Sequence, residues 1–374
     1  MEYRIIDSVK SSLLGFGCMR FPCNEDGTIN EVEAEKMLDL AYNAGVTYYD
    51  TAYPYHNKQS EPFIGKYLSK YPRESYLLAT KLPVWEIHSL EDAKAMFELQ
   101  LNRLQKDYVD FYLIHALNKD RWITMESYGV YDYFASLKEQ GKIKHLGFSF
   151  HDDYEVFEQI ITAKKWDFCQ IQYNYMDTEE QAGDKGYALA ERLGIPLIVM
   201  EPIRGGSLAN LSEEISHCFT EVNPEKSNAS WALRWVGSHS NVKVILSGMT
   251  TIEQVTDNLA TFDTFQPLNV TEENAVLTVT KRMRERINNG CTGCNYCMPC
   301  PAGVNIPKNF AIWNDYGIYE NKGETIWAWT NAMDDSEKAK QCIGCGQCET
   351  VCPQKIEIRK DLNTLQQELD ALHW

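Results

Sequence analysis

The sequence predicts an α/β fold in which a (β/α)₈ barrel is followed by a small, mainly α-helical domain. Apolar strand patterns alternate with helical patterns eight times before residue 262. The predicted strand at residues 197–200, LIVM, is wholly apolar, as is typical of parallel strands that are covered on both faces. Eight of the twelve cysteines follow in two runs between positions 291 and 352. We therefore expect a barrel and a separate cysteine-rich module.

The predicted units follow one another as strand and then helix. Strands are predicted at residues 13–16, 46–50, 76–82, 109–115, 145–150, 168–175, 196–200 and 242–247. Helices are predicted at residues 33–43, 61–69, 89–104, 131–140, 154–163, 181–193, 228–236 and 252–261, where apolar residues recur at helical spacing. Ser89 is a predicted helix cap, with Asp92 three residues later.

The chain is predicted to have three segments. Residues 1–262 form the barrel, residues 263–287 form a linker and a connecting helix, and residues 288–374 form the cysteine-rich domain. A last helix at residues 361–372 is expected to pack on the barrel. An open dinucleotide-binding sheet is the less favoured fold, because residues 15–20, GFGCMR, lack the third glycine of the Gly-x-Gly-x-x-Gly turn.

The composition excludes several classes of function. The chain has 374 residues, is 44% hydrophobic and carries a formal net charge of −17, so its surface field should repel nucleic acid and anionic lipid. It has no apolar run of roughly 18 residues that would span a bilayer. The first residues, MEYR, do not resemble a signal peptide. We expect a cytoplasmic protein with a small-molecule substrate.

Polar ionisable residues stand at the ends of three consecutive predicted strands. These residues are Asp50, Lys81 and His115, and Tyr55 lies in the loop after Asp50. Strand ends of a (β/α)₈ barrel meet at one mouth, where active sites are built. Such a group suits proton donation to a carbonyl oxygen by Tyr55. The Lys81 cation is expected to lower the pKa of Tyr55.

Each of these four residues also has an ordinary structural explanation. An aspartate at a strand end often caps the next helix, a lysine is most often solvated, and a lone tyrosine or histidine often only packs. The four together, in this order and at these positions, favour catalysis. Asp50 would orient Lys81, and His115 would hydrogen-bond the substrate oxygen.

Residues 13–261 resemble the aldo-keto reductase family. The resemblance rests on DTA at residues 50–52 with Tyr55, on TK at 80–81, on DFYLIH at 110–115, on GFS at 147–149 and on QIQYN at 170–174. It implies that Asp50, Tyr55, Lys81 and His115 form the family's catalytic tetrad. It also implies that Tyr55 donates the proton and that a bound nicotinamide donates the hydride.

The same resemblance implies a set of nucleotide contacts. Ser149 and Gln172 match positions that hold the nicotinamide carboxamide, and Met200 stands where an aromatic ring often stacks. Backbone amides of residues 204–208, RGGSL, can wrap a pyrophosphate. The predicted contacts are Met19, Arg20, Asp50, Ser149, Gln172, Met200, Arg204, Gly206, Ser207, Leu208, Ser247, Gly248, Met249, Gln254 and Asn258.

Nucleotide preference depends on the loop after the last strand. Relatives that prefer NADPH usually carry a lysine and an arginine there for the 2′-phosphate, whereas this chain has Gly248 and Gln254. The resemblance therefore implies use of NADH or of both nucleotides, with Arg204 as part of a substitute clamp.

The cysteine runs have the spacing of iron–sulfur ligands. The second run has the Cys-x₂-Cys-x₂-Cys-x₃-Cys-Pro spacing of bacterial ferredoxins, and the first is one residue shorter before its last cysteine. We expect two [4Fe-4S] clusters with crossed fourth ligands in a ferredoxin-like domain; Cys₄ zinc sites are the alternative. The predicted sets are Cys291, Cys294, Cys297 and Cys352 for the first cluster, and Cys342, Cys345, Cys348 and Cys300 for the second.

The combination resembles a subgroup of aldo-keto reductases with a C-terminal ferredoxin-like domain. It implies an NAD(P)H-dependent oxidoreductase that reduces a carbonyl or oxidises an alcohol. Its clusters would exchange electrons with an electron-transfer protein or with the active site, as in anaerobic metabolism. The alternative is a redox-sensing, nucleotide-binding regulator on the same scaffold. The sequence does not identify the substrate; Met19, Arg20, Trp85 and Trp122 are candidate pocket residues.

Overall fold

A computed structural model describes residues 1–373 of the chain. The chain forms two compact units. The first comprises residues 1–204 and 229–269, and the second comprises residues 205–228 and the chain from residue 270 onward. The second unit therefore includes residues 205–228, which the sequence had placed in the barrel segment.

The first unit is built on a closed barrel of eight parallel strands, as the sequence predicts. An antiparallel hairpin, which was not predicted, precedes the barrel. Its strands are β1 (Tyr3–Ile6) and β2 (Val9–Ser12). The barrel strands are β3 (Leu14–Gly17), β4 (Tyr48–Asp50), β5 (Leu77–Leu82), β6 (Val109–Leu117), β7 (Ile143–Phe150), β8 (Phe168–Gln172), β9 (Leu197–Met200) and β10 (Val242–Gly248), and β10 pairs with β3 to close the barrel.

Helices separate the strands along the chain. They are α1 (Glu31–Asn43), α2 (Tyr55–Lys58), α3 (Ser60–Leu68), α4 (Leu90–Leu104), α5 (Lys119–Ser127), α6 (Val130–Glu139), α7 (Tyr154–Ala163), α8 (Gly183–Leu193), α9 (Glu213–Thr220), α10 (Asn228–Gly237) and α11 (Ile252–Asp263). The predicted helices are all present, with ends shifted by a few residues. Helices α2, α5 and α9 were not predicted.

Helix α4 shows why the local sequence folds as it does. The Ser89 hydroxyl accepts a hydrogen bond from the Asp92 amide at 3.2 Å, which satisfies one of the amides left free at a helix start. The helix buries Ala93, Phe97 and Leu101 on one face. It ends at Gln105, which has a left-handed φ of 56°. The predicted cap at Ser89 is confirmed.

Replacing Ser89 by Ala is expected to lower the free energy of unfolding by about 1 kcal/mol, because the Asp92 amide loses its acceptor. The measurement is chemical denaturation followed by circular dichroism. Ser89→Asp is the matched control, because its carboxylate keeps an acceptor for the Asp92 amide, and it should change the free energy of unfolding little. Equal losses in the two variants would contradict a capping role for the hydroxyl.

The second unit is helical. Its helices after residue 269 are α12 (Val270–Arg284), α13 (Ile306–Tyr319), α14 (Lys322–Asn331), α15 (Gln347–Val351) and α16 (Ile358–Asp370). Helix α9 packs against α12. The Arg286 guanidinium, just after α12, hydrogen-bonds the Ser212 hydroxyl at 3.0 Å and the Glu214 carboxylate at 3.1 Å. These contacts explain why residues 205–228 belong to this unit.

Helix α16 contributes to the core of the second unit. Its buried residues Ile358, Leu362, Leu365 and Leu369 lie in one cluster with residues of α13 and α14. The sequence had instead placed this helix on the barrel. Among residues 1–373, none of the helices has the length and apolar character needed to cross a membrane.

Candidate active site

The period-two alternation of β-strands brings three of the four predicted catalytic residues to one place. Tyr48, Ala79 and Leu113 belong to a single buried cluster formed by the barrel strands. Side chains two residues apart on a strand share a face, so Asp50, Lys81 and His115 lie on the same side as these residues, one step nearer the carboxyl ends. The strand register pairs Asp50 with Ala79 and Lys81 with Leu113. Asp50, Lys81 and His115 therefore follow one another around the barrel.

Lys81 is the centre of the site. Its ammonium donates hydrogen bonds to the Asp50 carboxylate at 2.5 Å, to the Thr51 carbonyl at 2.9 Å and to the Tyr55 hydroxyl at 3.2 Å. Lys81 is 0% exposed and Asp50 is 2% exposed. Each of the three N–H groups of the buried Lys81 ammonium thus has an acceptor. These hydrogen bonds hold the ammonium next to the phenol oxygen of Tyr55.

The loop that carries Tyr55 is held in an unusual conformation. Tyr55 is followed by His56, Asn57 and Lys58, which all have positive φ values, of 50°, 51° and 70°. Such values are uncommon for residues other than glycine and cost free energy. The Phe21 amide donates to Nε2 of His56 at 3.0 Å, and Arg103 donates to the Lys58 carbonyl. These contacts hold the loop in place.

Burial dominates the proton affinities of the site. Burial would lower the pKa of Lys81, but Asp50 and Tyr55 raise it above its ordinary value. Burial raises the pKa of Tyr55, although Lys81 acts in the opposite direction. Lys81 does lower the pKa of Tyr55, as expected from the sequence. The expected net decrease is wrong, however, because burial raises the pKa by more. Tyr55 is a neutral phenol at neutral pH.

His115 is a neutral imidazole. Burial, followed by the charges of Lys81, His151 and Arg121, lowers its pKa well below the ordinary value. Its ring centroid lies 6.3 Å from that of Tyr55 and 5.1 Å from that of Trp85. Strand β6 shifts register between Ile114 and Leu117 beside it. In this position the histidine can donate or accept a hydrogen bond without carrying charge.

Some buried polar atoms at the strand ends lack a hydrogen-bond partner within residues 1–373. They include Oδ2 of Asp50, Nδ1 of His115 and Oε1 of Gln170. Unsatisfied buried polar atoms are costly and often mark where a ligand binds. Among them, Oε1 of Gln170 lies two residues before Gln172 on β8 and is an acceptor that fits the amide donors of a nicotinamide carboxamide.

The three residues predicted to contact the nicotinamide lie on β7, β8 and β9. Ser149 is buried, and its hydroxyl accepts from the Ala116 amide at 2.7 Å. The Gln172 amide donates to Asp177 at 2.8 Å. Met200 is partly buried, and its sulfur accepts from Gln170 at 3.4 Å. The serine and glutamine side chains are thus oriented by neighbouring protein groups.

The residues predicted to bind pyrophosphate have protein partners. Arg204 forms an ion pair with Asp177, at 2.5 Å. In the second unit, the Ser207 hydroxyl accepts from Asn321 at 2.9 Å and donates to Glu324 at 3.2 Å. Gly206 has a φ of 109°, which favours glycine, and Leu208 is fully buried.

The residues predicted after β10 form a compact turn. Asn258 donates to the Ser247 hydroxyl at 2.9 Å, and the Gln254 side chain accepts from the Thr250 amide at 2.7 Å. The side chain of Arg20 lies so close to Gly248 that an added Cβ would meet it at 3.1 Å. Met249 is buried, whereas Met19 is 57% exposed.

Two of the candidate pocket residues have different environments. Trp85 is 41% exposed and lies beside His115. Trp122 is 7% exposed and packs in the core with Trp166 at 6.2 Å, so it is a packing residue. Sequence reasoning did not single out Arg121, which lies over the Trp85 ring at 5.4 Å. Its position six residues after His115 was the available signal.

The cysteines line two cavities in the second unit. Cys300, Cys342, Cys345 and Cys348 line a cavity of about 190 Å³, together with Cys297 and Arg359. Cys291, Cys294, Cys297 and Cys352 line the other, of about 20 Å³. The four cysteines of each predicted crossed set therefore lie around the same cavity. The Gly344 amide donates to the Cys342 sulfur at 3.4 Å, an interaction that stabilises a thiolate ligand.

The arrangement of the thiols also bears on the type of metal. In a Cys₄ zinc site the sulfurs converge on one ion at about 2.3 Å, whereas in a [4Fe-4S] cluster the four thiolates bind different irons. Within residues 1–373, no three Cys, His, Asp or Glu side chains converge to hold a single ion. Thiols that surround a cavity without converging fit a cluster better than a single ion.

Comparisons with known proteins support both parts of the chain. Residues 13–276 match the aldo/keto reductase family, and residues 290–357 match the 4Fe-4S dicluster domain. A probable aldo-keto reductase of Glycine max is 32% identical over 146 residues, which are 37% of this chain and 41% of that protein. The NADH-specific methylglyoxal reductase of Escherichia coli (strain K12) is 25% identical over 66% of this chain and 86% of its own length.

Solved structures agree with these matches. The holo form of an aldo-keto reductase from Bacillus halodurans superposes with a TM-score of 0.62 at 25% identity, over 75% of this chain and 96% of that one. An aldo-keto reductase from Klebsiella pneumoniae in complex with NADPH shares the fold, with a TM-score of 0.59 at 20% identity, over 75% of this chain and 96% of that one. The chain belongs to the aldo/keto reductase family of oxidoreductases and carries a C-terminal 4Fe-4S dicluster domain.

Proposed function

We propose that the protein is an NAD(P)H-dependent oxidoreductase that reduces a small carbonyl compound to an alcohol, with Tyr55 as the proton donor. The observation that carries the proposal is the position of the buried Lys81 ammonium, which hydrogen-bonds both the Asp50 carboxylate and the Tyr55 hydroxyl. A regulator that only bound a nucleotide would not need a phenol hydrogen-bonded to a buried ammonium in this way.

The residues divide the chemistry among them. A bound reduced nicotinamide supplies a hydride to the carbonyl carbon. Tyr55 gives its proton to the carbonyl oxygen, and the nearby Lys81 ammonium stabilises the phenolate that remains. Asp50 keeps Lys81 protonated and aimed at the phenol. The neutral His115 positions the carbonyl oxygen by a hydrogen bond. In the reverse direction the phenolate takes the proton from the alcohol.

The pH dependence of the reduction follows from the two shifted groups. The pKa of Tyr55 is raised from about 10 and that of His115 is lowered from about 6.5. Neither group changes charge between these values, so kcat for reduction is expected to be constant from about pH 7 to about pH 9. A stopped-flow pH profile measures this. A break near pH 6.5 that disappears in His115→Gln would contradict a neutral histidine.

The nucleotide is proposed to be NADH, or both NADH and NADPH. In support, Gln254 is engaged with the Thr250 amide and Arg204 with Asp177, so neither side chain is available as a 2′-phosphate clamp without moving. The Escherichia coli relative is named as NADH-specific. Both nucleotides are to be compared by kcat/KM with the same substrate.

Two [4Fe-4S] clusters are proposed for the two cysteine-lined cavities, with the crossed ligand sets. When bound they supply one-electron transfer. We propose that they exchange electrons with a protein partner, because hydride transfer moves two electrons as a pair. The proposed compartment is the cytoplasm, where thiols stay reduced. A redox-sensing regulator remains the alternative function.

The test is an anaerobic screen of small aldehydes and ketones with NADH and with NADPH, followed by absorbance of the reduced nucleotide. Methylglyoxal and glyoxal are the starting compounds, because relatives are named for their reduction. Turnover of any carbonyl that requires Tyr55 supports the proposal. Tight nucleotide binding without turnover of any compound would favour the regulator.

A further inference from the structure

Arg121 has no carboxylate partner among residues 1–373, unlike three other partly buried arginines of the barrel unit. Arg73, Arg103 and Arg204 each form an ion pair with a largely buried aspartate or glutamate. Arg121 is also partly buried, but its guanidinium donates to the backbone carbonyl of Ala116 at 2.8 Å. Among residues 1–373 no carboxylate lies within ion-pair distance of it. A partly buried cation of this kind is available to an anionic ligand.

The guanidinium is held next to the proposed catalytic site. Trp85 contacts both His115 and Arg121: its ring is 5.1 Å from the imidazole centroid and 5.4 Å from the guanidinium carbon. The hydrogen bond to Ala116, the residue after His115, fixes the guanidinium at the carboxyl end of β6. Arginine and histidine therefore contact the same indole ring.

The charges around His115 have one sign. The permanently cationic side chains near this imidazole are Lys81 and Arg121, because burial lowers the pKa of His151 and keeps that imidazole neutral. The one anion of the tetrad, Asp50, is paired with Lys81. This local excess of positive charge occurs in a chain with a net charge of −17. Fixed positive charge at a pocket mouth concentrates anionic ligands there.

We propose that the substrate is an anionic carbonyl compound, with a carboxylate or phosphate a few bonds from the reacting carbon, and that Arg121 binds this group. The inference rests on the proposed carbonyl reduction and adds the substrate class. Arginine presents a planar pair of donors that matches the oxygens of carboxylate and phosphate. Trp85 keeps the guanidinium plane in place, and His115 receives the carbonyl oxygen.

The test compares matched substrates under anaerobic conditions. The pairs are 4-oxobutanoate with its methyl ester, and glyceraldehyde 3-phosphate with glyceraldehyde. The protein is expected to prefer one or both anionic members by at least roughly tenfold in kcat/KM, which corresponds to about 1.4 kcal/mol. The preference should lie mainly in KM. The pair that shows it identifies carboxylate or phosphate as the recognised group.

Two variants test whether Arg121 causes the preference for the anionic substrate. Arg121→Gln should raise KM for the anionic substrate about tenfold and should change KM for its neutral partner much less. Lys119→Gln is the control, because it removes the same charge from an exposed residue in the same helix and should change neither value. Equal kcat/KM for both members of each pair in the unmutated protein would overturn the proposal, as would equal losses on both members in Arg121→Gln.

Inhibition of the unmutated protein gives a measurement that does not depend on the variant's folding. Succinate or inorganic phosphate should inhibit reduction of the neutral substrate competitively, whereas succinamide should not. Equal inhibition by succinate and succinamide, together with no inhibition by phosphate, would overturn the proposal. If no carbonyl, neutral or anionic, is reduced, the proposed function itself fails, which is a different result from loss of the anionic preference.

Discussion

Replacement of Tyr55 by Phe is expected to lower kcat for carbonyl reduction by roughly 10²–10⁴-fold, the usual contribution of a positioned general acid. The substitution removes only the hydroxyl that Lys81 contacts at 3.2 Å. The ring and its position 6.3 Å from the His115 ring should remain. Nucleotide binding, measured by fluorescence titration, should therefore be unchanged, so that the loss lies in chemistry.

Tyr53→Phe is the matched control for Tyr55→Phe. Tyr53 lies in the same loop and contacts Lys58 and Arg103 through its ring face, so loss of its hydroxyl should leave kcat unchanged. Undiminished turnover in Tyr55→Phe would exclude the phenol as proton donor. If turnover falls equally in both variants, the loop conformation, and not the proton, is the cause.

The last cysteine of each run is expected to be essential for the cluster whose three other ligands lie in the other run. In the variant Cys291→Ser, Cys294→Ser, Cys297→Ser, one cluster and about four irons should remain of roughly eight. Adding Cys300→Ser should then abolish the remaining cluster, because Cys300 shares a cavity with Cys342, Cys345 and Cys348. Adding Cys352→Ser should leave it intact. Iron and sulfide analysis with electron paramagnetic resonance measures both.

The opposite result for Cys300→Ser and Cys352→Ser would show that each run holds its own cluster. Cys218→Ser is the control, since this buried cysteine lies on α9 outside both cavities. If the triple variant does not fold, the double variant Cys300→Ser, Cys342→Ser decides the question. With crossed ligands both substitutions affect the same cluster, so the other cluster and about four irons should remain. If each run held its own cluster, both clusters would be affected.

The sequence was sufficient to predict those features that follow from local residue patterns and from the general topology of a barrel. Asp50, Lys81 and His115 could be assigned to one mouth because strand period and barrel topology determine where strand ends meet. The cap at Ser89 and the extent of α7 are local features. The two cysteine runs could be recognised because ligand spacing is set by cluster geometry.

Other features depend on tertiary structure. Helix α5, with the sequence KDRWITMES, has a weak apolar pattern, so it and Arg121 were missed. The net pKa shift of Tyr55 was predicted in the wrong direction because burial, the larger influence, cannot be measured from sequence. The partners of Arg204 and Ser207 come from distant positions, Asp177, Asn321 and Glu324.

The pairing of α9 with α12 limits how this protein can be recombined. A gene fragment that stops at residue 262 would retain α9, whose Ile215 and Phe219 are buried, but would lack the helix against which α9 packs. The iron–sulfur unit is therefore not a simple C-terminal appendage that can be cut off or transplanted at the linker. An exchange between relatives, in the laboratory or in evolution, must carry residues 205–228 together with the tail, as an insertion and an extension that move jointly.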